Sequence, residues 1–421
     1  MSDTSRQEGV GVPVDDEESA PGEEEAPAAD SQRAEWAEQL VRDHADHGQA
    51  EPHGEEAGQP GEVYQSREQQ VLDRIERARQ RKPKLKEDKI TLAHGAGGKA
   101  TSALIEALFL PAFDNPELSQ LEDQALLDVG DGQRVAFTTD SFVVKPLFFP
   151  GGSIGDLAVN GTVNDLAVSG AIPRWLSASF IIEEGFAVED LRRIIADMRA
   201  AAEAVGVEIV TGDTKVVGKA SGDGCYINTA GVGVVGHDRR LGARQATPGD
   251  AVLVSGPIGQ HGMTVMLARG EVELDADFES DTAPLHDLVA TLLEAAPGVR
   301  CMRDATRGGV ATVLNEVAQT SQTAVVLDEA AIPVREDVHG ACEMLGIEPM
   351  YVACEGRMVV VVDGDQADAA LAAMQSHELG QGAARVGTVG DDPPGLVLLQ
   401  TTFGGTRIVD ELVGDPLPRI C

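Results

Sequence analysis

From about residue 89 the sequence alternates short apolar runs with longer runs of helical spacing. It does so twice, on either side of Pro248-Gly249-Asp250. Periods of 2 and 3.6 commit a segment to a strand or a helix, so this alternation constrains the fold more than composition does. In the first unit, residues 134–140, 176–182, 207–211 and 226–236 read as strands. Residues 101–109, 155–170 and 188–205 read as helices. In the second unit, 251–255, 358–362, 383–389 and 396–400 read as strands, and 262–268, 284–296 and a run ending near 321 as helices. The pattern predicts two successive α/β units of comparable size, with Pro-Gly-Asp as the boundary.

Residues 1–83 do not share this pattern. They carry 21 Asp and Glu against 9 Lys and Arg, with apolar residues too sparse to offset the entropy of ordering, so the segment reads as a disordered acidic extension. Two short helical patches are discernible, at 33–47 and 66–81, and His44, His47 and His53 read as solvated side chains. The whole chain of 421 residues has a formal charge of −37, which disfavours nucleic acid as a partner. No apolar run approaches the ~20 residues of a membrane span. The start, Met1-Ser2-Asp3, lacks the charged-then-apolar pattern of a secretion signal, so the expected location is cytoplasmic. Five widely spaced cysteines (Cys225, Cys301, Cys342, Cys354 and Cys421) without a Cys-x-x-Cys pair argue against a disulfide framework or a thiolate metal site.

Several stretches carry chemistry. His94-Gly95-Ala96-Gly97-Gly98-Lys99 leads into a helix, and such a turn can offer backbone N–H groups to phosphate or serve only as a loop. The strand 134–140 ends in Asp140. The small-residue helix 155–170 carries Asn160, Asn164 and Asp165. The strand 207–211 runs into Gly212-Asp213-Thr214-Lys215-Val216-Val217. If Asp140, Asp165 and Asp213 converge, they form an oxygen-rich site suited to magnesium rather than zinc, with Lys215 as an adjacent point charge. Arg303-Asp304-Ala305-Thr306-Arg307-Gly308-Gly309 suits phosphate or carboxylate contact, and reads equally as a salt-bridged helix cap. Glu355, in the apolar turn Tyr351-Val352-Ala353-Cys354-Glu355-Gly356, is a candidate base or a turn residue. After Gly404-Gly405 the chain runs to Pro418-Arg419-Ile420-Cys421, a thiol on a tail whose reach from residue 406 is at most roughly 50 Å.

Taken in order, these motifs resemble those of the HypE hydrogenase maturation factors, in the superfamily of aminoimidazole ribonucleotide synthetase and selenophosphate synthetase. The resemblance covers roughly residues 90–421 and leaves the acidic extension outside. Ala305 and Cys354 are its two departures from the family pattern. It implies a two-domain synthetase-like α+β fold built from α/β layers. The first domain, 84–247, would bind ATP and form a barrel-like homodimer interface. The second, 248–405, would be an α/β sandwich, and 406–421 a flexible tail. The implied activity is an ATP-dependent carbamoyl dehydratase. A HypF-like carbamoyltransferase loads Cys421, the chain converts the thiocarboxamide to a thiocyanate, and a HypC–HypD-like complex receives the cyano group. ATP and magnesium are the implied cofactors.

On this resemblance, Gly95, Gly97, Gly98, Asn164 and Thr214 would contact the nucleotide. Asp140, Asp165 and Asp213 would hold magnesium. Cys421 would carry the substrate, Lys215 would stabilise charge, and Glu355 would take the proton. Two other readings stand beside it. One is a small-molecule phosphorylating enzyme of the same superfamily, for which a terminal cysteine has no use. The other is an ATP-binding assembly scaffold, for which no product forms on Cys421.

Overall fold

The computed structural model describes Leu85 and residues 88–236, 239–270 and 279–414. The helical patches read at 33–47 and 66–81, and the terminal Pro418-Arg419-Ile420-Cys421, lie outside the described residues. Helix α1 (Lys99–Leu104) continues through a five-residue π turn to Phe113. The first sheet follows, with β1 (Ala125–Gly130), β2 (Gln133–Phe142), α2 (Ile154–Val168), β3 (Ala171–Glu183), α3 (Val188–Val205), β4 (Glu208–Val217) and β5 (Cys225–Val235). Its strand order is β1-β2-β5-β3-β4, antiparallel throughout except for the parallel β3–β4 pair.

The two edge assignments around the expected carboxylates differ from the sequence reading. β2 runs on past Asp140 to Phe142, and β4 runs on past Thr211 to Val217. The reason is tertiary: Gly212-Asp213 looks like a turn locally, but β3 pairs with β4 as far as Glu183↔Val217 and pulls the segment into the sheet.

Helix α2 organises the molecule. Every residue from Ile154 to Val168 except Asp156 is buried, so the helix is packed on all sides and its polar members Asn160, Thr162, Asn164 and Asp165 are enclosed with the apolar ones. Small residues allow this. A Cβ on Gly155 would lie 2.4 Å from the Ile194 carbonyl oxygen of α3, and one on Gly161 would lie 2.9 Å from the Phe142 ring. One core joins α2 and α3 to Met263, Val265, Val338 and Val352 of the second half. Another joins Ala167 and Val168 to Leu253, Leu285 and Val360. The inward residues of β2, among them Ala136, Thr138 and Phe142, face α2, while the opposite sheet face has no covering layer among the described residues. That face exposes Phe137, Ile172, Trp175 and Val234.

The second half comprises β6 (Ala251–Val254), α4 (Gln260–Ala268), α5 (His286–Ala295), β7 (Val299–Asp304), α6 (Gly309–Ser321), β8 (Ala324–Asp328), α7 (Glu336–Leu345), β9 (Met358–Val362), α8 (Ala367–Ser376), β10 (Ala384–Gly390), β11 (Val397–Gln400) and β12 (Thr406–Val409). Its seven strands are ordered β12-β11-β8-β10-β6-β9-β7. The expected flexible tail from residue 406 is therefore corrected. Residues 406–409 pair with β11 as an edge strand, because Ile408 and Val409 continue the sheet's alternation after the Gly404-Gly405 turn.

Candidate functional site

Where the two halves meet, α2 and β2 bring acidic side chains together. Asp165, on the face of α2 towards β2, lies 2.7 Å from the Thr138 hydroxyl, and that hydroxyl is 2.9 Å from the Asp123 carbonyl oxygen. Asp140 sits farther along β2, and Asp304 ends β7. Burial holds the Asp165 carboxyl well above the usual carboxylate range, and the nearby Asp140, Asp304 and Asp123 carboxylates push it further. Asp304 is raised well above its usual range by burial and by Asp123 and Asp140. Asp123 and Asp140 are raised for the same first reason, burial, opposed by Arg303 and Arg307 respectively. Four carboxylates that disfavour one another's ionisation make a site that lacks positive charge.

Two arginines supply part of it. The Arg303 side chain, 5% exposed, donates to Glu122 at 2.8 Å and to the Leu121 carbonyl at 2.7 Å, and lies 3.5 Å from Asp123. Its other guanidinium nitrogen meets Glu316. The Arg307 guanidinium donates to the Gly95 carbonyl at 3.1 Å and thereby ties the glycine-rich loop to the start of α6. Thr312 donates to the Gly97 carbonyl at 3.2 Å. Gly97 has φ of +75°, and a Cβ there would meet Arg307, so this position needs glycine on both counts. Gly95 has open space around it.

Glu355 joins the same cluster. It is 3% exposed, and its Oε1 has no hydrogen-bond partner. Burial, then the Asp304, Asp281 and Asp140 carboxylates, hold its carboxyl well above the usual range, with Arg307 opposing them. Its neighbour Cys354 is fully buried, accepts a hydrogen bond from the Gly259 N–H at 3.2 Å and has its thiol pushed up by burial.

The remaining candidates lie elsewhere or are otherwise engaged. Asp213, Thr214 and Lys215 are on β4, the exposed edge of the first sheet. β5 and β3 separate β4 from β2, which at the usual strand spacing is about 14 Å. Lys215 donates to Asp213 at 2.6 Å, and this bond holds the Asp213 carboxyl below its usual value. Asp213 therefore does not join Asp140 and Asp165 within the chain. Asn164 was expected at the nucleotide, but its amide is committed to the protein. Nδ2 donates to the carbonyls of Ala283 (3.0 Å) and Glu355 (3.2 Å), and Oδ1 accepts the Leu285 N–H (2.8 Å). Gly98 packs against the end of the described chain: a Cβ there would lie 2.3 Å from the Leu412 carbonyl oxygen.

Two residues of the cluster, Asp123 and Asp304, are absent from the sequence-derived site. Asp304 was visible in the Arg303–Gly309 heptad as a cap. Asp123 offers no pattern beyond an acidic pair with Glu122 ahead of an apolar run. Among the described residues, no three His, Cys, Asp or Glu side chains close around a single point. Asp140, Asp165, Asp123 and Asp304 are oxygen donors of which one or two could contact a magnesium ion whose shell is completed by phosphate and water.

The last described residues are held by the glycine-rich loop, helix α6 and the turn before Glu355. Asn315 Nδ2 donates to the Val409 carbonyl (3.0 Å), the Tyr351 hydroxyl to the Asp410 carbonyl (2.9 Å) and the Lys99 N–H to the Leu412 carbonyl (3.0 Å). The chain is thus pinned as far as Leu412.

Comparison with known proteins decides the family. The N-terminal domain model of AIR synthase related proteins matches residues 121–235, and the C-terminal domain model matches 247–398. A Cupriavidus necator protein named carbamoyl dehydratase HypE is 52% identical over 342 residues, covering 81% of this chain and 97% of that protein. This chain belongs to the HypE family. A crystal structure of a HypE–HypF complex contains a chain 50% identical to it, with a TM-score of 0.70, covering 74% of this chain and 100% of that one. A HypE crystallised with ATP is 44% identical, with a TM-score of 0.67, over 79% of this chain and 100% of that one. The two-domain synthetase-like α+β fold expected from the sequence is borne out. No helix among the described residues is long and apolar enough to cross a membrane.

Proposed function

We propose that this chain is a carbamoyl dehydratase that uses ATP to convert a thiocarboxamide on its own Cys421 to a thiocyanate, supplying cyano ligands for nickel–iron hydrogenase maturation. The observation that carries the chemistry is Glu355, a buried carboxyl with an unpartnered oxygen set among carboxylates that call for a cation. The family supplies the reaction: curated relatives are named carbamoyl dehydratase, and one relative was crystallised with ATP.

Dehydrating an amide requires its oxygen to become a leaving group. The carbamoyl oxygen attacks the γ-phosphorus, and the bond to ADP breaks. The nitrogen gives up one proton as the C–N double bond forms. It gives up the second as the C–O bond breaks, phosphate departs and the nitrile remains on sulfur. Glu355 takes a nitrogen proton; a raised pKa makes it a stronger base once ionised. Magnesium, when bound with the nucleotide, supplies positive charge that counters the phosphate oxygens and the carboxylates of Asp123, Asp140, Asp165 and Asp304. Arg307 adds fixed positive charge beside Asp140 and Glu355. Gly95, with open space around it, gives the nucleotide a close approach to the loop.

Cys421 reaches this site from a nearby anchor. Residues 413–421 are nine, so from Leu412 the thiol reaches at most roughly 30 Å. That tether still allows both an outer position, where a HypF-like carbamoyltransferase loads the thiol, and an inner one. A HypC–HypD-like complex receives the cyano group. The protein works in the cytoplasm as a homodimer joined through the first sheet. The uncovered face bearing Phe137, Ile172, Trp175 and Val234, and β4 exposed along almost its whole length, support that interface. Lys215, remote from its own Asp140, then serves the partner's site.

Mass spectrometry of the C-terminal peptide tests the reading. After carbamoyl loading and addition of ATP with magnesium, the peptide should lose the mass of one water on Cys421. An unchanged carbamoyl peptide after ATP turnover would leave only a scaffold or a small-molecule kinase.

A further inference from the structure

Glu355 lies in a segment without helix or strand, between Val352 and Arg357, so no ladder fixes its main chain. The Ala283 N–H donates to its carbonyl at 3.4 Å, and the Cys354 N–H and Arg357 carbonyl on either side both bond Ala305. Two buried side chains from elsewhere in the chain complete the hold. The Glu355 N–H donates to Asp281 Oδ1 at 2.9 Å, and its carbonyl accepts from Asn164 Nδ2 at 3.2 Å. Asn164 is 1% exposed and Asp281 7%. Asp281 Oδ2 has no hydrogen-bond partner and faces Arg357 Nε at 3.8 Å.

The segment 281–285 is itself clamped against α2. Asn164 takes the Ala283 carbonyl and the Leu285 N–H, and one turn earlier Asn160 Nδ2 donates to the Thr282 hydroxyl at 3.2 Å. Residues 281–283 then lie flat against Glu355 and Gly356: a Cβ on Gly356 would come within 1.9 Å of the Asp281 carbonyl oxygen. Successive positions of α2 thus divide their work. Asp165 turns to the carboxylate cluster, and Asn164, about 100° around the helix, turns to the main chain of Glu355.

We infer that Asn164 and Asp281 are positioning residues that hold Glu355 at the distance from the carboxylate cluster its proton transfer requires. The inference deepens the proposed function and rests on Glu355 being the base. A misplacement of about 1 Å at a reacting group costs on the order of 100-fold, so the two hydrogen bonds have a kinetic consequence larger than their contribution to stability.

Single-turnover conversion of carbamoyl-loaded protein by ATP, read on the C-terminal peptide, tests this. Asn164→Asp keeps the acceptor for Leu285 but sets a carboxylate against two carbonyls. It should slow dehydration at least about tenfold, with KM for ATP within about twofold. Asp281→Ala should do the same. Asp281→Asn should recover most of the rate, because its amide oxygen accepts the same N–H; this pair decides the matter if Asn164→Asp folds poorly. Adding Asn164→Asp to Glu355→Gln should cost nothing further, since both act through one carboxylate. Wild-type rates for Asn164→Asp and Asp281→Ala beside a slow Glu355→Gln would overturn the inference alone, as would independent, multiplying losses. A wild-type rate for Glu355→Gln would overturn the base assignment and the inference with it.

Discussion

The main-chain N–H of Lys99 donates to the carbonyl of Leu412 at 3.0 Å, which joins the glycine-rich loop to the last pinned residues of the described chain. The Lys99 ammonium also meets the Asp410 carboxylate. The ion pair is half-exposed and contributes little by itself. The backbone contact matters more, because Gly98 brings the two chains closer than any side chain would permit. The glycine-rich loop and the last pinned residues of the described chain are one structural unit.

Gly98→Ala tests that unit. The new methyl would sit 2.3 Å from the Leu412 carbonyl oxygen, a backbone atom that cannot swing aside. Relief requires the loop and the anchor to part, at a cost of about 1–3 kcal/mol. The variant should fold, melt at a lower temperature and form thiocyanate at least about tenfold more slowly from the same carbamoyl-loaded start. Thermal melts and peptide mass spectrometry read the two effects separately. A normal rate with a lowered melting temperature would make the contact purely structural.

The carboxylate cluster predicts how the nucleotide binds. Asp165 is buried, held by Thr138 and surrounded by like charges, so removing its charge removes a donor that favours a cation. Asp165→Asn should weaken magnesium-dependent ATP binding by roughly tenfold or more in calorimetry, and ATP binding without magnesium should change much less. Equal losses with and without the metal would take Asp165 out of the ion's shell.

Burial sets four of the five cysteines apart from alkylating reagents. Cys225, Cys301, Cys342 and Cys354 are all buried. Burial pushes the Cys225 and Cys342 thiols up to about 11, and raises Cys301 and Cys354 as well. Alkylation needs the thiolate and access to it. Native protein treated briefly with iodoacetamide should therefore take one label, on Cys421, and denatured protein five. Early labelling of Cys354 would reopen its claim to the chemistry.

Much of this architecture was legible in the sequence, and the failures have physical causes. Helix α3 reads to the residue, 188–205, because its apolar stripe is regular and Gly206, at φ +76°, ends it. The fold class follows from the alternation of elements. The end of β4 does not, because Gly212-Asp213 has turn chemistry and only pairing with β3 overrides it. β12 was hidden by the Gly404-Gly405 turn before it. Within the site, Asp140, Asp165 and Glu355 stand out as acids in apolar runs. Asp123 does not, since the arginine it faces, Arg303, lies 180 residues downstream. Asn164 was expected at the nucleotide, because an amide that holds a distant loop looks in sequence like one that holds a ligand.

The position of Lys215 yields the last prediction. Two strands part β4 from β2, and Lys215 is spent on Asp213 at an exposed edge, so within one chain it cannot reach the Asp140 cluster. If its charge is used in dehydration, the site it serves belongs to the other protomer. Each catalytic centre then takes Glu355 from one chain and Lys215 from its partner. Lys215→Ala and Glu355→Gln homodimers should both be slow. A dimer of one Lys215→Ala chain and one Glu355→Gln chain has one centre that lacks both groups and one that lacks neither. Equal amounts of the two variants, mixed and allowed to exchange subunits, should regain about a quarter of the wild-type single-turnover amplitude, since half the dimers are mixed and each has one intact centre. If Lys215 acted on its own chain, every centre in the mixture would lack one group or the other. The amplitude would then stay at the level of the parents. Mass spectrometry places the product as well: with a tail that serves its own chain's Glu355, thiocyanate should form on the Lys215→Ala chain and not on its partner.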